Sequence, residues 1–246
     1  MDHFSFFGQW SPHEVDRVLL HNYFLGKEHG FFIECGAATG KEGSNCYFFE
    51  KYLHWKGINI EASPLAFSKL AQNRPKSINI NAALSTQDGK AVFHDVINQG
   101  AGAENGSLQF SEDHLEELEG YNCQFQDIEV KTITYQTLMN EHFSQPIDLF
   151  SLDVEGFEVE VLKSMKNSPE EHLPTVICAE YPYVGLKPLK EAAFDLGYEF
   201  DFISYNNAFF SRMEKKRTVW FGQTNTVMVW DKNTKSWRPD KLENHD

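Results

Sequence analysis

Phe31-Phe32-Ile33-Glu34-Cys35-Gly36-Ala37-Ala38-Thr39-Gly40, answered about twenty residues later by Ile58-Asn59-Ile60-Glu61, is the stretch that decides the fold. An apolar strand that stops at a glycine lets the backbone turn tightly and approach a ligand with no Cβ in the way. A second strand ending in a carboxylate places that group where nucleotide-binding folds grip a ribose through its vicinal hydroxyls. The flanks keep the same alternation. Ser44–Trp55 has helical periodicity through Tyr47, Phe48, Tyr52 and Leu53, and Pro64–Asn73 and Ser77–Leu84 follow as helix and strand. The β-α-β-α-β run, with short connections, predicts a Rossmann-like α/β fold with a parallel sheet and right-handed crossovers.

The rest of the chain extends this pattern. Ser11-Pro12 ahead of Glu14 reads as the start of a leading helix reaching about Gly26. Lys90–Val96 and Ile128–Thr134 alternate as strands, and between them residues 98–126 form an acidic, Gly- and Asn-rich insert with a short helix at Ser111–Leu118, either a lid over an acceptor or a solvated loop. Further expected elements are a helix at Tyr135–Phe143, strand Ile147–Val154, helix Phe157–Met165, strand Thr175–Tyr181 and helix Pro188–Leu196. Tyr198–Tyr205, Ala208–Ser211 and Thr226–Trp230 read as strands that close the sheet with an antiparallel hairpin, and Asp231–Asp246 is expected to fray. One domain over residues 1–246, with an N-terminal helical extension over 1–29, suits this length.

The loop chemistry narrows the ligand. Gly36 and Gly40 are spaced G-x-x-x-G, whereas a dinucleotide pyrophosphate usually sits on G-x-G-x-x-G at a helix N-terminus. A phosphate beside Glu34 would also be repelled, so a cationic cofactor with an adenosine ribose, S-adenosylmethionine, suits the loop better. Acids mark the strand ends at Glu34, Glu61, Asp153 and Glu180, the edge where open α/β sheets bind ligands. Glu34 either attracts the cofactor's ammonium or orients the loop, Glu61 accepts both ribose hydroxyls, and Asn81 and Ala82 border the adenine. Asp153 and Glu155, two residues apart, face the same side if their strand stays extended. They either hold a divalent metal, for which hard oxygen ligands suit Mg²⁺ and Glu180 is a further donor, or supply a general base toward a hydroxyl. Glu158 and Glu160 read as first-turn acids complementing a helix dipole. Of the histidines, His54 reads as a helix-end residue and His94 as a strand residue facing either way, while Tyr181 and Tyr183 are candidates for the acceptor pocket.

Composition excludes other classes. Lys+Arg 22 against Asp+Glu 36 gives a formal charge of -14, which repels nucleic acid and anionic membrane surfaces. Four cysteines without C-x-x-C spacing fall largely within apolar patterns, as in a reducing compartment, and no run approaches a membrane span. A cytoplasmic protein acting on a small molecule is expected, with homo-oligomerisation left open.

Three blocks in this order resemble the FkbM-type methyltransferase family: Phe32-Ile33-Glu34-Cys35-Gly36-Ala37 with Gly40 and Ser44-Asn45; Trp55 to Pro64; and Ile147-Asp148-Leu149-Phe150-Ser151-Leu152-Asp153-Val154-Glu155-Gly156-Phe157-Glu158. The resemblance runs from about Gly30 to Tyr205. It implies a class I methyltransferase with a seven-stranded, mostly parallel sheet, a reversed final hairpin and helices on both faces. It further implies O-methylation of a hydroxyl, often on a sugar, glycan or other natural product, with Glu34, Gly36 and Glu61 on the cofactor and Asp153 and Glu155 at the reaction centre. Ala37, Gly40, Asn45, Ala62, Ser63, Asn81, Ala82 and Asp153 complete the expected cofactor set. Ala38-Thr39 and Ala62-Ser63-Pro64 depart from the commoner family residues. The first 29 residues and the 98–126 insert lie outside the resemblance and are where acceptor choice is expected to reside. The alternatives are a nicotinamide-dependent oxidoreductase and a non-catalytic binding module on the same fold.

Overall fold

The computed structural model describes residues 5–8, 14–98 and 105–213, together with the backbone of 226–231 and 236–241. Its strands are β1 (Phe31–Cys35), β2 (Lys56–Glu61), β3 (Ile78–Asn81), β4 (Ala83–Leu84), β5 (Gly89–Val96), β6 (Phe125–Ile133), β7 (Leu149–Leu152), β8 (Val176–Glu180), β9 (Glu199–Ser204), β10 (Asn207–Ser211), β11 (Thr226–Asp231) and β12 (Ser236–Lys241). The α-helices are α1 (Val15–Leu19), α2 (Tyr47–Leu53), α3 (Pro64–Asn73), α4 (Glu112–Gly120), α5 (Tyr135–His142), α6 (Glu158–Ser164) and α7 (Leu186–Asp195).

Seven strands form the main sheet in the order β3-β2-β1-β7-β8-β10-β9, in which β10 alone runs against its neighbours. This is the expected mostly parallel sheet with a C-terminal antiparallel hairpin. The uninterrupted apolar runs of β1, β7 and β8 follow from burial on both faces. Phe31, Ile33 and Cys35 point into one core with Ile58, Phe150 and Ile177, whereas Phe32 points into a second with Phe48, Phe49, Trp55 and Leu149. Helix α3 begins as its sequence dictates: Pro64 takes the first helical position and the Ser63 hydroxyl accepts the Ala66 N–H at 3.4 Å.

Several boundaries differ from expectation. The single strand expected over Ser77–Leu84 is two, because the Asn81 side-chain amide (2.8 Å) and the Ala82 N–H (3.1 Å) both donate to the Glu61 carbonyl and turn the chain. Thereafter β4 leaves the main sheet and joins β6 and β5. The strand expected to run to Val154 ends at Leu152, after which Glu155 (φ 56°) and Gly156 (φ 105°) adopt left-handed conformations. Within the tail expected to fray, Ser236–Lys241 pairs with Thr226–Asp231 in a separate two-stranded sheet, so Thr226–Trp230 does not extend the main one. The helix start expected at Ser11-Pro12 lies outside the described residues; α1 is preceded by Glu14 and continues as a π-helical turn over Leu20–Phe24. Among the described residues, no helix is long and apolar enough to cross a membrane, and all four cysteines are free.

Upstream of α1, Phe7 and Gly8 lie against the glycine loop: Gly43 donates to the Phe7 carbonyl at 2.8 Å, and Gly8 forms a β-bridge with Gly43. Asp16 anchors this segment, accepting the backbone N–H of Phe7 at 2.7 Å and of Arg17 at 2.9 Å. Burial pushes its carboxyl from 3.8 up to about 7 despite those bonds. The folded protein therefore holds this proton where the unfolded chain has lost it, so the associated stability is full below about pH 4 and is lost as pH rises to about 7. Asp16→Asn is expected to flatten that part of the stability profile, read as denaturant midpoints between pH 5 and pH 8; an unchanged slope in the variant would assign the dependence elsewhere.

Candidate functional site

Chain connections leave β1 toward β2 and β3 on one side and leave β7 toward β8 on the other, so strand order reverses between β1 and β7. At the carboxyl ends of these strands opens a cleft. The glycine loop forms its floor. Gly36 N–H and Ala37 N–H donate to the Ile60 carbonyl at 3.0 and 3.1 Å, docking the loop onto β2, and Asp153 N–H donates to the Cys35 carbonyl at 3.0 Å. Gly36 has φ 78°, and a Cβ there would stand 1.6 Å from the Asp153 carbonyl oxygen, so only glycine fits where the two strand ends meet.

Glu61 is 8 % exposed at the end of β2. Its Oε2 accepts Ala38 N–H at 2.8 Å and its Oε1 accepts Ser63 N–H at 2.7 Å, which fixes the carboxylate while leaving lone pairs for further donors. Of the residues expected from sequence, Gly36, Ala37, Glu61, Ala62, Ala82, Asp153 and Glu155 line the cleft.

The others sit behind it. Gly40 N–H closes the loop on the Ala37 carbonyl at 2.8 Å, Asn45 bonds Ser151 Oγ at 3.0 Å, Ser63 caps α3, and Asn81 braces the β2 end. Glu34 does not line the cleft either. Its side chain is turned to the opposite face of β1, accepting Ser44 Oγ (2.8 and 2.9 Å) and Cys46 N–H (3.1 Å) and pairing with Arg74 (3.4 Å). Of its two expected roles, this arrangement matches orientation of the loop. Burial raises the Glu34 carboxyl, and Arg74 and Ser44 oppose that rise.

The acids after β7 converge by a route the sequence does not suggest. The chain does not stay extended, so the shared side of a pleat is not what brings Asp153 and Glu155 together; the left-handed turn at Glu155 and Gly156 does so. The turn is held by Glu158, whose Oε1 accepts Val154 N–H at 2.9 Å and whose carboxylate also takes Gly156 N–H. Carboxylate oxygens of Asp153, Glu155 and Glu180 all lie within 4.8 Å of one another. Asp153 and Glu180 share a hydrogen bond. Burial raises Asp153 to about 6 and Glu158 to about 7, and it raises Glu155 and Glu180 well above the carboxylate range, with neighbouring acids adding to the effect. Glu160 is an exposed partner of Lys163 at 2.9 Å.

Among the histidines, His94 pairs with Asp127 at 2.6 Å on the outer sheet, and His54 ends α2 in a left-handed conformation with its backbone N–H on Phe49. Tyr181 is buried in the main core, while Tyr183 donates to Glu117 at 2.9 Å. Sequence reasoning overlooked His114, on the insert helix α4. It is fully buried, its ring stacks on Tyr183 at 3.6 Å and 5°, and its Nε2 is 3.4 Å from Glu155 Oε2. Burial lowers it to about 4, so it is neutral at pH 7. Ser111, which caps α4 through His114 N–H at 3.2 Å, was a usable signal for the helix but not for the direction of its face. Phe93 on β5 and Asn105, Gly106 and Leu108 from the insert also line the cleft unforeseen.

The lining of the cleft is acidic. Among the described residues, Glu42, Glu61, Asp153 and Glu155 line it and no Lys, Arg or His does, which favours a sulfonium and an ammonium over a pyrophosphate.

Solved structures resembling this chain include the precorrin-6y C5,15-methyltransferase of Geobacter metallireducens (12% identity, TM-score 0.41, covering 96% of this chain and 89% of that one). Another is the FkbM methyltransferase of Methylobacillus flagellatus (10% identity, TM-score 0.46), where the match covers 77% of this chain and 46% of that one. A third is fibrillarin of Aeropyrum pernix, solved with S-adenosyl-L-methionine (11% identity, TM-score 0.39, covering 75% and 66%). No curated protein matches the sequence. Residues 34–203, from the strand-end Glu34 to the closing hairpin, match the methyltransferase FkbM domain, and the chain belongs to that methyltransferase family.

Proposed function

We propose that this protein is an S-adenosylmethionine-dependent O-methyltransferase acting on a hydroxyl of a sugar or other small natural product. The observation that supports it most is the cleft lined, among the described residues, by acids and no basic side chain, joined at its end to the carboxylates that follow β7. The cofactor would supply an electrophilic methyl group on a cationic sulfur. Glu61 would hold its ribose hydroxyls, and the Gly36–Ala38 backbone would border its methionine end. Asp153 or Glu155 would accept the acceptor's hydroxyl proton, and a raised carboxyl pKa suits that role near neutral pH. Most of the acceleration would come from aligning acceptor and donor at near-attack distance. An ion held by Asp153, Glu155 and Glu180 is the second version of this site.

The insert fits the part of an acceptor lid, since Asn105, Gly106 and Leu108 border the cleft. Leu108 also faces an adjoining groove with His94, Phe110, Leu115 and Phe125, whose aromatic rings suit stacking on a ring of the acceptor.

S-adenosylhomocysteine is expected to raise the thermal midpoint and NADH to leave it unchanged, because only a ligand of the native state stabilises it. Methyl transfer from labelled cofactor to hydroxylated acceptors, with the label located on oxygen, then tests the reaction. Stabilisation by NADH alone, or label on nitrogen or carbon, would overturn the reading. Glu61→Ala is expected to weaken S-adenosylhomocysteine binding about tenfold or more, the worth of a charge-assisted hydrogen bond; equal affinity by calorimetry would remove Glu61 from the ribose site.

A further inference from the structure

We propose that His114 joins Asp153, Glu155 and Glu180 in a binding site for a divalent first-row transition-metal ion, in which the insert helix α4 supplies the nitrogen ligand. Three observations on different elements meet here. Carboxylate oxygens from the loop after β7 and from the end of β8 lie within 4.8 Å of one another. Donors around one such ion, about 2.1 Å from it, stand about 3 Å apart when adjacent and about 4.2 Å apart when opposed, so the set closes on an ion by small side-chain rotations. Second, Glu155 Oε2 and Glu180 Oε2 are buried with no N–H or hydroxyl donor, the bond between Glu180 and Asp153 being a proton shared by two acids. Buried carboxylate oxygens of this kind call for a cation or a donor.

The third observation comes from outside the acidic cluster. His114 is fully buried, and its ring nitrogens make no well-formed hydrogen bond, only a loose one to the Glu155 backbone, while Nε2 stands 3.4 Å from Glu155 Oε2, near the spacing of two adjacent ligands. The ring is held in that pose by its stack on Tyr183 and the edge of Phe110 at 4.8 Å, and Tyr183 is in turn held by Glu117. One imidazole among three carboxylates shifts preference from Mg²⁺, which favours oxygen alone, toward Mn²⁺, Fe²⁺, Co²⁺ or Zn²⁺. The ion would also tie the insert to the reaction centre, since its ligands belong to both. The location of the site is independent of any activity; its use, holding the acceptor oxygen beside Asp153 so that the hydroxyl proton passes to that carboxylate, rests on the methyl-transfer reading above.

The test uses the full chain after chelator treatment. Mn²⁺ is titrated in excess Mg²⁺ and followed by electron paramagnetic resonance, with pulsed measurements for coupling to a ligand ¹⁴N. Expected are one Mn²⁺ per chain and a clear ¹⁴N coupling, with His114→Ala losing the coupling and weakening Mn²⁺ about tenfold or more. Glu160→Gln, an exposed acid off the site, is expected to change neither. Absence of Mn²⁺ binding, bound Mn²⁺ without ¹⁴N coupling, or displacement by Mg²⁺ would overturn the proposal. Should His114→Ala fail to fold, the wild-type ¹⁴N signal decides alone. S-adenosylhomocysteine calorimetry on the same samples separates the two readings: its binding without Mn²⁺ overturns the metal site only, and Mn²⁺ binding with ¹⁴N coupling but no S-adenosylhomocysteine binding overturns the methyl-transfer reading only.

Discussion

Gly36→Ala is expected to abolish S-adenosylhomocysteine binding and to destabilise the fold by at least about 3 kcal/mol, because one added carbon meets backbone on two counts. The position has φ 78°, and the new Cβ would lie 1.6 Å from the carbonyl oxygen of Asp153, which is main chain and cannot rotate aside. Either the loop lifts off the Ile60 carbonyl or the end of β7 retreats, and both movements open the floor of the cleft. Displacing a reacting group by about 1 Å costs roughly a hundredfold in rate, so residual turnover should fall by at least that factor. Gly197→Ala is the control. Gly197 has φ 81°, and a Cβ there would meet nothing within 4 Å, so its variant isolates the conformational penalty from the clash. Equal midpoints and equal ligand affinity for the two variants would show that contact with Asp153 has no importance.

Arg74→Ala is expected to lower the unfolding free energy by about 3–5 kcal/mol, measured by denaturant titration. The guanidinium is fully buried: Nε meets Glu50 at 2.7 Å, and Nη1 reaches Glu34 at 3.4 Å, the Gly40 carbonyl at 3.0 Å and Ser44 Oγ at 3.2 Å. Its removal leaves two acids in the interior without their cation and the end of the glycine loop without a donor. Cofactor affinity should fall with stability, since Gly40 and Ser44 belong to that loop. Arg74→Met combined with Glu34→Gln and Glu50→Gln removes the charges together and should recover part of the loss. If Arg74→Ala costs less than about 1 kcal/mol, the cluster is solvated and does not organise the loop.

What could be read from the sequence was whatever local periodicity and spacing determine. The ends of α3 follow from Ser63-Pro64 and the helical repeat, β1 and β2 from apolar runs that stop at Cys35 and Glu61, and the carboxylate at Glu61 from its position at a strand end. Features set by the third dimension were not legible. Glu34 is the penultimate residue of β1 and pairs with Asn59, two residues short of Glu61 at the end of β2, so it stays within the sheet, where Arg74 meets it; nothing in the residue types separates the two. The splitting of Ser77–Leu84 depends on two hydrogen bonds to one carbonyl, and the turn at Glu155 uses a conformation that glutamate seldom adopts. His114 was invisible for a related reason: an acidic, weakly amphipathic helix does not announce which side it buries.

The pairing of β1 has a consequence for how the chain is made. Phe32–Cys35 gains one neighbour soon after synthesis, when Gly57–Ile60 follows, but its other edge must wait for Leu149–Leu152. Pairings so distant in sequence close slowly, and until then a nascent chain exposes an apolar strand edge open to wrong partners. Ribosome pausing after Leu152, or chaperone capture before it, should therefore govern yield more than any substitution on the surface. The glycine loop is written early in the chain, but the floor of the cleft is complete only when Asp153 N–H reaches the Cys35 carbonyl.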